Sequence, residues 1–262
     1  MSDQALGIDL GDVGTKPTAE KPVNEGAATA FFSAWDMHSY YGESYIVQGV
    51  SFDIHEGEIV ALLGRNGAGK TSTLRTIARM DNPELRHGEV WLDHQPLHTM
   101  QSWQASRLGV GFVPEDRCII PGLTVEENLN LAQIAPPIGW SLERIYEHFP
   151  RLAERRTQDG VTLSGGEQQM LAVARALARD IKLLLLDEPY EGLAPVIVHE
   201  IESILEGVKK LGITTIIVEQ NAIAALHLAD RAIILDMGEV VFNGNAQEVL
   251  DNKELRDEYL AI

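Results

Sequence analysis

Cysteine, long apolar runs and positive charge are all scarce in this sequence of 262 residues. Cys118 is the one cysteine, so no disulfide can form within the chain and the composition favours a reducing compartment. No apolar stretch reaches the roughly 18 residues that a membrane-spanning helix needs. The first residues also lack the basic and apolar regions of a secretory signal. We therefore expect a cytoplasmic chain that does not itself cross a membrane.

The shortage of positive charge excludes another group of functions. Lys and Arg together number 21 against 39 Asp and Glu, which gives a formal net charge of −18. Such a chain lacks the broad basic surface that binds nucleic acid or anionic lipid without specificity, so we expect no nucleic-acid partner. The excess is uneven, because residues 61–80 carry Arg65, Lys70, Arg75 and Arg79 and no acid. A local anion site therefore fits this segment.

Strand and helix patterns alternate along the chain after a polar beginning. Residues 1–29 are rich in Gly, Ala, Thr, Pro and Asp and are predicted to form a flexible tail, whereas residues 30–262 form the folded domain. Short β-type segments after Phe31 predict antiparallel strands, and several proline-punctuated helices are predicted as an insertion at about 115–172. The predicted strands are Ile59–Leu63, 89–92, Val110–Val113, the apolar run 183–186 with the two acids that follow it, Thr214–Val218 and Arg231–Asp236. The predicted helices between them are 71–80, 167–178, 196–211 and Ala222–Leu228. This alternation predicts an α/β fold with a mostly parallel core sheet.

A glycine-rich loop follows the first of these core strands. It satisfies the pattern G-x-x-x-x-G-K-[ST], in which small residues let backbone N–H groups close around phosphate oxygens at the start of a helix. Lys70 would reach the β- and γ-phosphates, and Thr71 would offer its hydroxyl to Mg²⁺. The sequence therefore predicts a P-loop nucleotide site whose contacts are Gly64, Arg65, Asn66, Gly67, Ala68, Gly69, Lys70, Thr71 and Ser72.

Two adjacent acids end the apolar strand that leads to Pro189. Consecutive residues at a strand end point in different directions, so one carboxylate can serve the metal while its neighbour faces an attacking water. We predict that Asp187 is a metal ligand and that Glu188 is the general base. An acidic turn without catalytic function remains the alternative for this pair alone.

A third motif decides between the families that share a phosphate loop. Leu163-Ser-Gly-Gly-Glu-Gln168 before the helix QMLAVARALA resembles the signature of ABC-type ATPases, and its position before the acidic strand matches as well. The resemblance extends over about 31–262 and implies a P-loop NTPase fold with an N-terminal antiparallel β subdomain and an inserted helical subdomain. It also implies that Ser164, Gly165, Gly166 and Glu167 face the nucleotide held by a second subunit.

The resemblance assigns three further positions. Tyr41, rather than Tyr40, stands where the family places an aromatic ring against adenine. Glu115 stands where most members have a glutamine that reaches the nucleotide and its metal, and Gln220 stands where most have the switch histidine. An amide can orient Glu188 or bond a phosphate, but it does not titrate near neutral pH as imidazole does.

These departures resemble one subfamily. Val113-Pro-Glu-Asp, IPGLTVEENL, FPRLAERR, Gly192-Leu-Ala-Pro195 and IIVEQN are similar to the smaller ATP-binding subunit of importers for branched-chain amino acids and related amides. Tyr190-Glu191, where a pair containing Ser is usual, does not fit this pattern. The resemblance implies ATP and Mg²⁺ as ligands and a homo- or heterodimer that sandwiches two ATP molecules. It also implies attachment to permease subunits on the cytoplasmic face of the membrane. An extracytoplasmic solute-binding protein would be an indirect partner.

Other functions stay open at this point. A soluble ABC ATPase could act on ribosomes or nucleic acid with the same ATP-binding motifs, although such proteins usually carry two cassettes, coiled coils or zinc modules. A P-loop kinase for a small molecule would lack the signature segment. Within the importer hypothesis, urea or a short amide could replace the amino acid.

Overall fold

The protein contains two β-sheets that lie in adjacent layers. The computed structural model describes residues 30–133 and 139–260, so the tail predicted for residues 1–29 lies outside the described residues. The strands in this part of the chain are β1 (Phe32–Tyr41), β2 (Ser44–Ile54), β3 (Ile59–Leu63), β4 (Glu84–Leu92), β5 (Gln95–Pro96), β6 (Val110–Val113), β7 (Leu183–Asp187), β8 (Thr214–Val218), β9 (Arg231–Asp236) and β10 (Glu239–Asn245). The helices are α1 (Lys70–Ile77), α2 (Ser102–Leu108), α3 (Val125–Ala132), α4 (Leu142–His148), α5 (Pro150–Glu154), α6 (Gly165–Leu177), α7 (Pro195–Lys210), α8 (Ala222–Leu228), α9 (Ala246–Asp251) and α10 (Lys253–Tyr259).

The first sheet is antiparallel, with the strand order β2-β1-β4-β5. A two-residue turn joins β1 to β2, where Tyr41 pairs with Ser44 and Gly42 supplies a φ of 55°. The pairing of β1 with β2 shifts register at several points, and the first shift lies beyond Ala34, where Asp36 has a φ of 49°. Such a β-bulge bends the strand and redirects a side chain.

The second sheet has the strand order β10-β9-β3-β8-β7-β6. Neighbouring strands from β9 to β6 pair in parallel, and only β10 pairs antiparallel, along β9. Every residue of β3, β7 and β8 is buried, which explains their nearly continuous apolar sequences. Because these strands are parallel, their carboxyl ends meet at one edge of the sheet, and the loops with the predicted chemistry begin there.

Alternate residues of these parallel strands belong to different hydrophobic cores. Successive side chains of a strand point to opposite faces of the sheet. One core lies against the antiparallel sheet and α1 and includes Val60, Leu62, Leu183, Leu185, Ile216 and Val218. The other lies against the helices that follow β6 and β8 and includes Ile59, Ala61, Leu63, Leu184, Leu186 and Ile217.

Short helices occupy the segment between β6 and β7. The first of them, α3, begins with a capping box in which Thr124 and Glu127 exchange hydrogen bonds, and it packs against the longer α6. The buried side chain of Asn128 holds the preceding loop through bonds to Leu123, Thr124 and Ile120. The helical character expected for this segment is therefore present, while the subdomain bounds of about 115–172 stay a prediction.

The α/β fold with its antiparallel and mostly parallel sheets agrees with the prediction. The bounds of β3, β6, β8, β9 and α8 are those expected from the sequence, whereas β7 ends at the first of the two acids. One strand was predicted too short, because β4 begins at Glu84 rather than at residue 89. The polar residues at its start give no apolar signal, yet they pair with the second half of β1.

Candidate functional site

The predicted phosphate loop lies between β3 and α1. At its first position Gly64 has a φ of 143°, and a Cβ there would lie 2.2 Å from the carbonyl oxygen of Leu235. At its end Gly69 has a φ of 100° and precedes the first residue of α1. Glycine is therefore required at Gly64 both for the backbone conformation and for the close approach of β9. The backbone of the phosphate loop is therefore fixed at its first position.

Lys70 lies inside this loop rather than in solvent. Its Nζ donates hydrogen bonds to the carbonyl oxygens of Gly64, at 2.9 Å, and Arg65, at 3.2 Å. Burial lowers the pKa of the Lys70 amine, although the negative charges of Glu188 and Asp187 oppose that shift. The ammonium group thus stands between the loop backbone and the two acids at the end of β7.

The acids at the end of β7 are directed to different partners, as the strand-end argument predicts. Asp187 is 1% exposed, and its Oδ1 accepts a hydrogen bond of 2.8 Å from the hydroxyl of Thr71. Burial raises the pKa of Asp187, while the Thr71 hydrogen bond and the charge of Arg75 act against that shift. Two of the three predicted metal ligands, Thr71 and Asp187, are thus in direct contact.

Glu188 follows with a φ of 50°, a left-handed conformation that is uncommon outside glycine. Its backbone N–H donates to the carbonyl of Val218, and its Oε2 accepts a hydrogen bond of 2.8 Å from Nε2 of Gln220. The amide that replaces the usual histidine of the family is therefore positioned on the candidate base. This contact joins the ends of β7 and β8.

A cavity of about 390 Å³ brings most of the predicted residues together. Its lining includes the predicted Tyr41, Asn66, Gly67, Gly69, Lys70, Thr71, Ser72, Glu115, Glu188 and Gln220, together with Ile46, which the sequence analysis did not select. Arg65 contributes its backbone carbonyl, whereas its guanidinium reaches the carbonyl of Asp257 on α10. The remaining loop positions, Gly64 and Ala68, shape the backbone without lining the cavity.

The two adjacent tyrosines of β1 occupy different environments. Tyr40 stacks on Tyr45 with ring centroids 4.6 Å apart, and the guanidinium of Arg86 lies over the Tyr40 ring. Tyr41 instead lines the cavity beside the phosphate loop. Of the two rings, Tyr41 is the one available to a nucleotide.

Glu115 reaches the cavity from the loop after β6. Partial burial raises the pKa of Glu115, and a hydrogen bond with Glu191 and the nearby charge of Asp116 act in the same direction. This contact links the loop after β6 to the segment that follows Glu188.

The signature residues lie away from this cavity, at the start of α6. The hydroxyl of Ser164 accepts from the N–H of Glu167 and donates to its Oε2, so a capping box begins the helix. Glu167 is buried and forms an ion pair of 2.5 Å with Arg155. Burial alone would raise its pKa, but the bonds from Ser164 and Arg155 lower it. Its carboxylate is thus engaged within the chain, while Ser164 and Gly165 are exposed.

The sequence analysis missed a buried carboxyl group behind the site. Glu219 is 3% exposed, and its Oε1 accepts a hydrogen bond of 2.7 Å from the backbone N–H of Tyr190. Burial raises the pKa of Glu219 to about 7, against the backbone bonds from Tyr190 and Asn221. The only sequence signal was an acid placed directly after the buried strand TTIIV.

A second feature that was missed is a larger groove beside α2, α3 and α6. It has a volume of about 840 Å³, and its lining includes the exposed apolar side chains of Met80, Trp103 and Leu131. Arg75, Arg175 and Arg179 line its inner part. Trp103 and Leu131 are 54% and 63% exposed, which is unusual for large apolar residues so close together.

Comparison with known proteins identifies the family. A family model described as ABC transporter matches residues 47–191, which is more than half of the chain. The chain belongs to the ABC transporter family. The matched segment begins in β2 and ends just after Glu188, so it includes the phosphate loop, the signature and the acids of β7. The family and fold class predicted from the motifs are therefore confirmed.

Individual ABC proteins are similar over nearly their whole lengths. The high-affinity branched-chain amino acid transport ATP-binding protein BraG of Pseudomonas aeruginosa is 42% identical over 86% of this chain and 97% of its own length. The probable branched-chain amino acid transport ATP-binding protein LivF of Archaeoglobus fulgidus is 35% identical, over 83% and 93% respectively. A dimeric ATP-binding cassette bound to ADP and Pi is 28% identical, with a TM-score of 0.71 over 82% of this chain and 98% of that chain.

Among the residues that the structure describes, none of the helices is both long and apolar enough to span a membrane.

Proposed function

We propose that this ABC protein binds and hydrolyses ATP to energise an importer for branched-chain amino acids or related small polar solutes. The observation that supports the proposal most is that Lys70, Thr71 and the Gln220–Glu188 pair line one cavity, with Asp187 bonded to Thr71 behind it. The substrate class rests on the likeness to BraG and LivF. A solute-binding protein and the permease would select the solute, so urea or a short amide is the alternative cargo.

Thr71 on α1 and Asp187 at the end of β7 fit a magnesium ion. Mg²⁺ prefers oxygen ligands, and the Thr71 hydroxyl and the Asp187 carboxylate offer two such atoms in contact. Thr71 and Asp187 would hold the ion, with Glu115 as a further oxygen ligand across the cavity. When bound, the ion offsets negative charge on the phosphates. Burial of Asp187 strengthens its interaction with a cation, because the surroundings screen charge poorly.

Lys70 and Glu188 would have separate roles in ATP hydrolysis. The Lys70 ammonium would exchange its carbonyl partners for phosphate oxygens and stabilise the charge of the transferring phosphoryl group. Glu188 would accept a proton from the attacking water, and Gln220 would hold the Glu188 carboxylate in the required orientation. Tyr41 would pack against the adenine ring. Glu188 and Gln220 would thus act as a unit joined by one hydrogen bond.

A second ABC subunit would complete each nucleotide site. Ser164 and Gly165 are exposed at the start of α6 but do not line the cavity of their own chain. The N-terminus of a helix attracts anions, so this end of α6 suits a γ-phosphate held by a partner. ATP would favour the closed pair through contacts that hydrolysis removes. The partner could be a second copy or a different ATPase.

The apolar groove beside α2 and α3 is the surface that we assign to the permease subunits. Exposed Trp103, Leu131 and Met80 would pack against a short apolar segment of the permease on the cytoplasmic face of the membrane. The arginines that line the groove would donate hydrogen bonds to carboxylate or carbonyl oxygens of that segment. The loop of Glu115 and Arg117 lies between this groove and the ATP cavity, because Glu115 lines the cavity and Arg117 lines the groove.

The substitution Glu188→Gln tests the catalytic part of the proposal. Gln keeps the size of Glu188 but cannot accept a proton, so we expect ATP binding to persist while hydrolysis falls at least about 100-fold. The measurements are ATP affinity by calorimetry and phosphate release in detergent with the co-expressed permease. Glu206→Gln, on the exposed side of α7, is the matched control.

Two results would contradict different parts of this proposal. Hydrolysis by Glu188→Gln at the wild-type rate would remove Glu188 as the base. Copurification of the tagged chain with ribosomes or nucleic acid, and not with hydrophobic permease subunits, would instead favour a soluble ABC ATPase.

A further inference from the structure

A separate cluster of metal-binding side chains lies on the antiparallel sheet. Asp36 and His38 belong to β1, and His87 belongs to β4. Nε2 of His38 lies 3.0 Å from Oδ1 of Asp36, and Nδ1 of His87 lies 3.2 Å from Oδ2. One ligand atom from each of the three residues falls within 4.8 Å of the others. None of the three lines the ATP cavity or the groove.

The backbone brings the cluster together in two ways. His38 and His87 are direct partners in the β1–β4 register, so their side chains share one face of the sheet. The β-bulge adds Asp36 to that face, and the hydroxyl of Ser51 accepts the Asp36 N–H at 2.8 Å. Two imidazoles and one carboxylate are therefore fixed by a register and a bulge rather than by a loose surface loop.

Glycines leave the space that this arrangement needs. A Cβ at Gly49 would lie 3.4 Å from Oδ1 of Asp36 and 3.8 Å from Nε2 of His38, so any longer side chain would approach these ligand atoms. At Gly88, next to His87, a Cβ would lie 2.1 Å from the carbonyl oxygen of Asp36. The bulge could not form against β4 with a larger residue there.

A tyrosine orients the more buried imidazole. Nδ1 of His38 is hydrogen-bonded to the hydroxyl of Tyr45, whose ring stacks on His38 at an interplanar angle of 14°. When Nδ1 donates to the tyrosine oxygen, the lone pair of Nε2 is free to bind a metal. A hydrogen bond of this kind on the far nitrogen is the usual support of a metal-bound histidine. Tyr45 is held in turn by stacking on Tyr40.

We propose that Asp36, His38 and His87 form a binding site for a divalent transition-metal ion, with Zn²⁺ as the best fit. Imidazole nitrogens with one carboxylate oxygen suit zinc, whereas Mg²⁺ prefers oxygen ligands alone. Ligands at about 2.0–2.2 Å from a tetrahedral ion lie roughly 3.3–3.5 Å apart. Each imidazole nitrogen lies near that distance from its own oxygen of Asp36, at 3.0 Å for His38 and 3.2 Å for His87. Three protein ligands leave a fourth position for water. The ion would tie β1 to β4.

The test is zinc binding by the full-length chain with ZnCl2 as the only added metal. The Cys118→Ser variant serves as the background, because Cys118 is an exposed thiol that could bind zinc elsewhere. We expect calorimetry to give one saturable site per chain with a micromolar dissociation constant, and zinc to raise the melting temperature. His87→Gln should weaken this site at least 30-fold. His55→Gln, an exposed histidine outside the cluster, is the matched control.

ATP binding checks that the variants remain folded. His87 is 67% exposed in its side chain and lies outside the ATP cavity, so His87→Gln should bind ATP as the background chain does. The proposal is overturned if no saturable zinc site is found, or if His87→Gln and Asp36→Asn bind zinc as tightly as His55→Gln. Neither result would affect the proposed ATPase function.

Discussion

Replacing Glu219 by Gln should stabilise the protein at high pH, and the effect should disappear as the pH falls. Gln keeps an oxygen that can accept the N–H of Tyr190, which lies 2.7 Å from Glu219 Oε1, but it cannot ionise. Burial raises the pKa of Glu219 from 4.5 to about 7. The folded state therefore holds this proton more tightly than the unfolded state does, and ionisation of Glu219 destabilises the fold.

The magnitude follows from the two pKa values. A shift from 4.5 to about 7 corresponds to about 3 kcal/mol at 1.36 kcal/mol per unit. Below pH 4.5 the carboxyl group is neutral in both states and costs nothing. Between pH 4.5 and 7 the free energy of unfolding of the wild type falls as the pH rises, because Glu219 ionises more readily in the unfolded chain. Above pH 7 this loss of stability is constant. From pH 5.5 to 8.5 the change is about 2 kcal/mol.

Urea unfolding at a series of pH values measures this difference. The free energy of unfolding of Glu219→Gln minus that of the wild type should grow by about 2 kcal/mol between pH 5.5 and 8.5 and should level off above pH 8. Glu206→Gln, on the exposed side of α7, is the matched control. The reasoning is refuted if the Glu219→Gln difference is flat, because Glu219 would then ionise alike in the folded and unfolded chains.

Two further predictions concern the ATP cavity. Tyr41→Ala should weaken ADP binding measured by calorimetry by about 1–3 kcal/mol, the usual worth of a base stacked on an aromatic ring; an equal loss in Tyr40→Ala, whose ring packs on Tyr45, would contradict this assignment. Gly64→Ala should destabilise the fold by at least about 2 kcal/mol in thermal unfolding, because its Cβ would meet the Leu235 carbonyl at 2.2 Å. A Cβ added at Gly67 would meet no atom within 4 Å, so Gly67→Ala should lower the free energy of unfolding by only about 1 kcal/mol. Similar losses in the two variants would show that the Leu235 contact does not constrain the loop.

Features with a local signal could be predicted from the sequence. The bounds of β3 and β8 follow from continuous apolar runs, since a strand buried on both faces carries no polar side. The phosphate loop combines glycines, a lysine and a hydroxyl within a few residues. Its position between a strand and a helix was therefore visible without any tertiary information.

Features created by contacts between distant segments could not be predicted in the same way. In the sequence, Glu219 is an acid after a strand with no further distinguishing pattern. Only the fold brings its carboxylate to the N–H of Tyr190. The bulge at Asp36 depends on Gly88 of another strand. The strand β10 also escaped prediction, because it lies at the edge of the sheet and alternates between exposed and half-buried residues.

The division of the parallel strands between two cores affects how the candidate site responds to substitutions elsewhere in the molecule. Leu62 and Leu63 are neighbours in sequence, yet one packs under the antiparallel sheet and the other against the helices. The two cores thus share the short strands between them, so a shift of one strand moves residues in both cores. Those strands end at the phosphate loop, at Asp187 and at Glu219. The edge of the sheet that carries the candidate site is therefore supported from both cores, and large-to-small substitutions in either core are expected to disturb it.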